Sequence, residues 1–441
     1  MKAKLEQINS ISQAIVVEVT AELVEKSRQK VLSRLAKEIK IPGFRKGKVP
    51  AAVVEKQLGD NLQHEVLEQV VRDSYPDALR EVEARPISDP KIEPAILTKG
   101  EGLSYRATYE IVPELELKKY TGLHLEREPH EVTDEEMQQE LRRLQERMTQ
   151  LEPVEGEGLA EGMMGRINFK GTADGKPFKG SESKDFVVDI GSGHLLKEFE
   201  HELSGMKKGE KRNIHFVYPT DYFNQEVAGK KGAFEVQLTD LRRKVVPHLD
   251  DEFAKSLGSY ETFEKLQEEL KNRILEAKKN MTRRSLHRQV MEKLAEEHPI
   301  EVPQTMVQAE LNGMIEQLHR DLQRQGKTLQ DVGINAEHFV KENYHEALLR
   351  TRGFLVISAI GKKEGLQVTA EEITERIQTI AAASGQKESE VRAHFEQKGL
   401  ISRLGSEIFL EKALDFVAGK SKIRDVDPKK EKKTKKSGKK S

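Results

Sequence analysis

The hydrophobic period of this chain changes along its length, and that change limits the folds open to it more than any other feature. Across residues 152–244 apolar residues come in short runs, 167–170, 186–190, 213–218 and 234–238, separated by glycine-bearing turns. Short runs between turn residues read as strands, and Asp174-Gly175 is a hairpin signal. Helical residues are few there, mainly 195–203. Beyond Pro247 the spacing lengthens to three and four residues, which is a helix period. One sheet cannot absorb both patterns, so the chain must hold a β domain and a separate helical region.

The helical region reads as a series. A long helix from Thr262 carries Leu266, Leu270, Ile274, Ala277 and Met281 on one face and stops before Pro299. Pro303 opens a second, with Met306, Leu311, Met314, Ile315, Leu318 and Leu322. A third covers 337–360, a fourth starts at the capping box Thr369/Glu372, and two more lie near 390–397 and 401–417. Before the β domain, residues 114–151 include another capping box, Thr133/Glu136, and a stripe of Met137, Leu141, Leu144, Met148 and Leu151. So narrow a stripe is a seam packed on other helices.

At the N-terminal end, 11–19 is β-prone and Thr20 is placed to cap a helix with Val24, Val31, Leu35 and Ile39 on one face. A short helix, 51–58, stops at Gly59, and a second from about Asn61 repeats Leu62, Val66, Val70 and Leu79, with Pro76 expected to kink or break it. Alternation through Leu103, Tyr105, Ala107, Tyr109 and Ile111 is a half-buried strand. Residues 1–112 are therefore expected to form one α+β domain.

Composition removes several classes of function. With 34% charged residues, 5% aromatics and no Trp, 441 residues cannot build one large core, and apolar helical surface is expected to be left facing a cavity. The absence of Cys excludes disulfides, zinc thiolates and cysteine nucleophiles. The thirteen His have no metal spacing, and Gly191-Ser192-Gly193 lacks the third glycine of a dinucleotide loop at Leu196, so neither metal nor cofactor is expected. No apolar run approaches a membrane span or a leader, which points to the cytoplasm. Net charge is −1, but 429–441 alone carries eight Lys and one Glu, leaving the rest acidic. Any RNA contact must then be local, as in 30–48, with seven cations and one acid.

That basic stretch ends in Gly43, Phe44, Arg45, Lys46, Gly47, Lys48, Val49 and Pro50. An aromatic and two cations at the tip of a glycine-framed loop cannot reach a common core. The run matches the ribosome-docking signature of the bacterial trigger factor family, Gly-Phe-Arg-x-Gly-x-x-Pro, at every fixed position. The middle of the chain resembles an FKBP-type prolyl isomerase through Asn168-Phe169-Lys170-Gly171, Asp174 to Phe178, Phe186 to Gly191, Phe199 and Gly205 to Gly209.

The resemblance implies a multidomain α+β protein. A ribosome-binding domain (1–112) is followed by a connecting segment packed on the helical domain (113–151), an antiparallel FKBP-type domain (152–246), a helical client-binding cradle (247–424) and a disordered Lys-rich tail (425–441). Its pocket would be walled by Phe169, Phe178, Phe186, Leu195, Leu196, Phe199 and Phe234, with Tyr222 at the rim. The same side chains would also serve as plain barrel core. Phe199 replaces a frequent Trp, Phe169 a frequent Tyr, and Lys179 the usual acid. Gly43, Phe44, Arg45, Lys46, Gly47, Lys48 and Pro50 would dock on the large ribosomal subunit near the exit tunnel. Implied partners are nascent and unfolded polypeptides, ribosomal RNA, and a second copy in a weak homodimer off the ribosome. An RNA-binding assembly factor, or an isomerase with helical appendages, are the two other functions left open.

Overall fold

The computed structural model describes residues 1–39, 44, 50–93, 102–193, 195–222, 224–258 and 260–426. Its contacts divide the chain into two compact units, Met1–Pro129 with Met281–Ser441, and His130–Asn280.

In the first unit, strands β1 (Lys2–Gln7) and β2 (Ser12–Val19) precede three helices, α1 (Ala21–Glu38), α2 (Ala51–Leu58) and α3 (Asp60–Glu81). Strands β3 (Lys91–Ile92) and β4 (Leu103–Glu110) complete an antiparallel sheet of order β1-β2-β4-β3. The alternation read from Leu103 puts Leu103, Tyr105, Ala107 and Tyr109 into the core, against Val24, Val31, Val66 and Val70 of the helices. Pro76 does not break the helix: it lies inside α3, which continues to Glu81. Two details differ from the sequence reading. Thr20 occupies the N-cap position of α1 without a side-chain hydrogen bond. Pro50, a residue suited to the first position of a helix, is instead the N-cap of α2, its carbonyl accepting from Val53 N–H at 3.0 Å.

Past β5 (His124–Arg127) the chain enters the second unit through α4 (Asp134–Met148), whose Thr133/Glu136 capping box is formed. Met137, Leu141, Leu144 and Met148 share a cluster with Phe253, Ala254, Leu266 and Leu270. Leu151 is not part of the stripe: the helix ends at Met148, and Leu151 lies exposed in β6 (Gln150–Pro153), paired with the last strand of the sheet. That sheet adds β7 (Met163–Ala173), β8 (Glu182–Asp189), β9 (Lys211–Val217) and β10 (Lys231–Val245), with α5 (Lys197–Leu203) between β8 and β9. All its pairings are antiparallel, with β10 central between β7 on one side and β9 and β6 on the other. Asp174 and Gly175 have φ of 47° and 77°, and Ala173 and Lys176 exchange backbone hydrogen bonds, so they form the primed hairpin turn expected of Asp-Gly.

A short helix, α6 (Asp251–Ser256), leads to α7 (Phe263–Glu297), α8 (Gln304–Arg324), α9 (Ala336–Lys363), α10 (Ala370–Ser384), α11 (Glu388–Gln397) and α12 (Ile401–Gly419). Within the first unit the helices bury three small clusters, around Val356 and Ile360, around Val307 and Leu311, and around Ile377 and Leu404. Strand β11 (Lys422–Asp425) then pairs in parallel with β5, a junction without a periodicity signal in either four-residue run.

At Gly353 of α9 an added Cβ would stand 2.9 Å from the Met291 carbonyl oxygen, a backbone atom that cannot rotate aside. At Gly405 a Cβ would meet nothing within 4 Å. The helix-propensity gain of Gly→Ala, about 1 kcal/mol, is the same at both positions, so sterics decide the sign. Gly405→Ala should raise the thermal midpoint of the helical region, and Gly353→Ala should lower it by a net cost of about 1–2 kcal/mol. Scanning calorimetry of the two variants checks both signs.

Candidate functional site

One strand pair builds the site. Phe234 of β10 lies opposite Gly171 of β7, and a Cβ at 171 would overlap the Phe234 ring itself. Glycine is thus required for the ring to lie across the neighbouring strand. From that position Phe234 meets Phe199 edge-on at 5.6 Å, Phe178 edge-on at 6.3 Å, Phe169 tilted at 5.9 Å and Phe216 stacked at 5.7 Å. Phe186 packs edge-on against Phe169 at 5.5 Å, and Tyr218 joins Phe216 at 4.8 Å and Tyr222 at 5.0 Å. Edge-on and offset contacts of this kind suit ring quadrupoles and hold each ring's angle.

The rings wall a cavity of about 350 Å³ with Lys179, Gly180, Leu195, Leu196, Asn224 and Val227. Phe199 and Phe234 are buried in its floor, while Phe186 at the mouth is 40% exposed. All eight residues selected for this site from the sequence line the one cavity: Phe169, Phe178, Phe186, Leu195, Leu196, Phe199, Tyr222 and Phe234. Phe216, Tyr218, Asn224 and Val227 went unselected. The signal for the first two was the alternation of Ile214 and Phe216 in β9 with Tyr218 just past its end, a strand whose inward face was not followed.

Electrostatically the cavity is nearly silent. Burial, with Tyr222 alongside, pushes the Tyr218 hydroxyl up to about 12, and burial also raises that of Tyr222. Both stay protonated at neutral pH. No carboxylate or imidazole belongs to the lining, and the described residues hold no group of three or more His, Cys, Asp or Glu placed to bind a metal. The site can therefore enclose an apolar ring but cannot supply an acid–base pair.

Of the loop residues singled out for docking, Gly43, Arg45, Lys46, Gly47 and Lys48 lie outside the described residues. Phe44 is 42% exposed, and Pro50 is exposed at the head of α2. Two of the cations counted toward an RNA-facing stretch are already paired with α3, Lys30 to Asp73 at 2.9 Å and Arg34 to Glu65. They reduce the charge that 30–48 can offer a phosphate backbone.

Comparison with known proteins decides the family. The model of "Bacterial trigger factor protein (TF)" matches residues 1–144, and that of its C-terminus matches 262–419. The model of "FKBP-type peptidyl-prolyl cis-trans isomerase" matches 157–239, which contains the whole cavity. The trigger factor of Halothermothrix orenii is 34% identical over 422 residues, 95% of this chain and 98% of that one. That of Moorella thermoacetica is 35% identical over 427 residues, 96% and 95% of the two chains. This chain belongs to the trigger factor family. A solved structure of the trigger factor chaperone, described for promiscuous substrate recognition in folding and assembly, shares its fold. The TM-score is 0.52 at 24% identity, covering 95% of this chain and 99% of that one.

Two substitutions test how the trigger factor site is built. Phe199→Ala opens a cavity costing about 3–5 kcal/mol of stability if nothing relaxes, and should lower kcat/KM for a prolyl peptide at least about tenfold. Gly171→Ala removes no lining side chain but displaces the Phe234 ring, and should cause a comparable loss. Near-normal isomerase kinetics in a folded Gly171→Ala variant would contradict the role given to Phe234.

Proposed function

We propose that this chain meets nascent polypeptides at the ribosome, holds them against aggregation and isomerises their prolyl bonds in the Phe234-centred cavity. It is a ribosome-associated molecular chaperone with an FKBP-type peptidyl-prolyl cis–trans isomerase domain. The observation that supports the chemical step is a largely aromatic cavity with no carboxylate or imidazole in its lining. Prolyl isomerisation breaks no bond. Its barrier is amide resonance, about 18–20 kcal/mol, and the twisted amide has lost the charge separation of the planar one. An apolar site therefore favours the transition state over the ground state, and differential binding of that kind is catalysis.

In this reading Phe199 and Phe234 form the floor under the proline ring, and Phe169, Phe178, Leu195 and Leu196 the walls. Phe186 and Tyr222 stand at the mouth. The loop from Gly43 to Pro50 docks on the large subunit near the exit tunnel, with Phe44 as its apolar contact and Arg45, Lys46 and Lys48 facing ribosomal RNA. Residues 247–424, with 113–151 packed on them, hold clients. Exposed Met281, Tyr344 and Phe354 on α7 and α9 support that role. Off the ribosome the protein forms a weak homodimer, and its working compartment is the cytoplasm. No helix among the described residues is long and apolar enough to cross a membrane. The two other functions, an RNA-binding assembly factor and an isomerase with helical appendages, gain nothing from the family match.

Changing Phe44, Arg45 and Lys46 together to Ala should abolish co-sedimentation with translating ribosomes while circular dichroism stays unchanged, since exposed loop residues contribute little stability. Wild-type binding should also weaken as salt rises, as phosphate contacts do. Undiminished ribosome binding by the folded triple variant would refute the docking role.

A further inference from the structure

Among the described residues lining the aromatic cavity, Lys179 is the one charged side chain. It sits in a tight turn, 178–181, closed by Ser181 N–H to the Phe178 carbonyl at 3.0 Å, with Gly180 at φ 89° in the third place as in a type II turn. The buried Ser181 hydroxyl accepts from Phe178 N–H at 3.3 Å and ties the turn a second time. Phe178 is a wall of the cavity, so the turn that fixes the wall also fixes the lysine at the lip. The Lys179 side chain is exposed, and no carboxylate lies within ion-pair distance of it among the described residues. The acids that flank lining residues in sequence, Asp185, Glu198, Glu200, Asp221, Glu226 and Glu235, do not line the cavity themselves.

A peptide whose proline ring fills this cavity must carry its neighbouring residue past the lip. We propose that Lys179 is a specificity residue of the isomerase, selecting prolyl bonds flanked by an acidic side chain and disfavouring those flanked by a basic one. The proposal rests on the cavity being the isomerase site. An amide that is losing its own charge separation gains nothing from the ammonium, so Lys179 acts on the flanking residue and not on the reacting bond. Because the lip is open to solvent, the preference is modest and screened by salt.

The test uses the full-length protein and end-blocked pentapeptides with Glu, Gln or Lys immediately before or immediately after the proline, with cis–trans exchange rates measured by NMR. For the flanking position that faces Lys179, wild-type kcat/KM should favour Glu over Lys by about two- to fivefold at low salt, a ratio that shrinks toward one near 1 M salt. Lys179→Gln should flatten the ratio and Lys179→Glu should invert it, each rate being read relative to the Gln peptide with the same protein. The substitutions touch no buried side chain, so the fold survives them. Active variants with an unmoved Glu-to-Lys ratio would overturn the proposal. Full activity on every peptide in Phe199→Ala would overturn the cavity reading beneath it.

Discussion

The first unit depends on covering one seam. Helices α7, α9 and α12 bring Val290, Leu294, Val356, Ile357, Ile360, Ala413 and Val417 together, and Leu123 just before β5 and Leu125 within it are buried among them. Laying irregular backbone on an apolar seam is costly unless each amide finds a partner. Here the partners are built in. Lys118 N–H donates to Nε2 of buried His298 at 3.0 Å, which leaves Nδ1 to donate to the Leu294 carbonyl at 2.9 Å. Gln289 satisfies both backbone groups of one residue, accepting from Glu126 N–H at 2.8 Å and donating to the Glu126 carbonyl at 2.7 Å. Gly122 N–H reaches the Lys420 carbonyl at 2.8 Å, and β11 pairs with β5 beside it. Residues nearly 300 apart in sequence thus close one structure, with Arg127 and Asp425 forked together at 2.7 and 3.2 Å.

The end of the N-terminal sheet is tied to the same unit by a related device. The Glu110 carboxylate, at the last residue of β4, accepts from Gln304 N–H at 3.1 Å and Thr305 N–H at 2.9 Å. These are orphan donors at the start of α8, where Pro303 in the N-cap position has no side-chain oxygen to offer them. A carboxylate there also meets the positive end of the helix dipole. Local deficiency at Pro303 and distant supply at Glu110 are two halves of one contact.

Legibility followed the range of the interaction. Helices and strands whose faces repeat within a few residues, such as 103–110 or 304–324, could be read directly, and so could both Thr/Glu capping boxes. The cavity could be read because a family resemblance supplied the positions of its eight chosen residues, while Phe216 and Tyr218 required knowing which face of β9 turns inward. Pro76 does not break α3, because Val66, Val70 and Ala78 on both sides are buried in one core, and that packing outweighs one lost backbone bond. Glu110, His298 and Gln289 carry no local pattern. Each acts on a backbone group far away in sequence, where no period can point.

The aromatic distribution follows from the same economy of core. A chain with 15 Phe in 441 residues places Phe169, Phe178, Phe186, Phe199, Phe216 and Phe234 around one cavity of about 350 Å³. Holding an unfolded client needs apolar area of no particular shape, which aliphatic and Met side chains on charged helices provide. Favouring a twisted amide over a planar one needs a cavity whose walls stay at fixed angles, and a ring held by four aromatic neighbours, two of them edge-on, does that where flexible side chains cannot. In the strand pair that carries Phe234, Gly171 therefore yields its side chain so that one ring can touch four others.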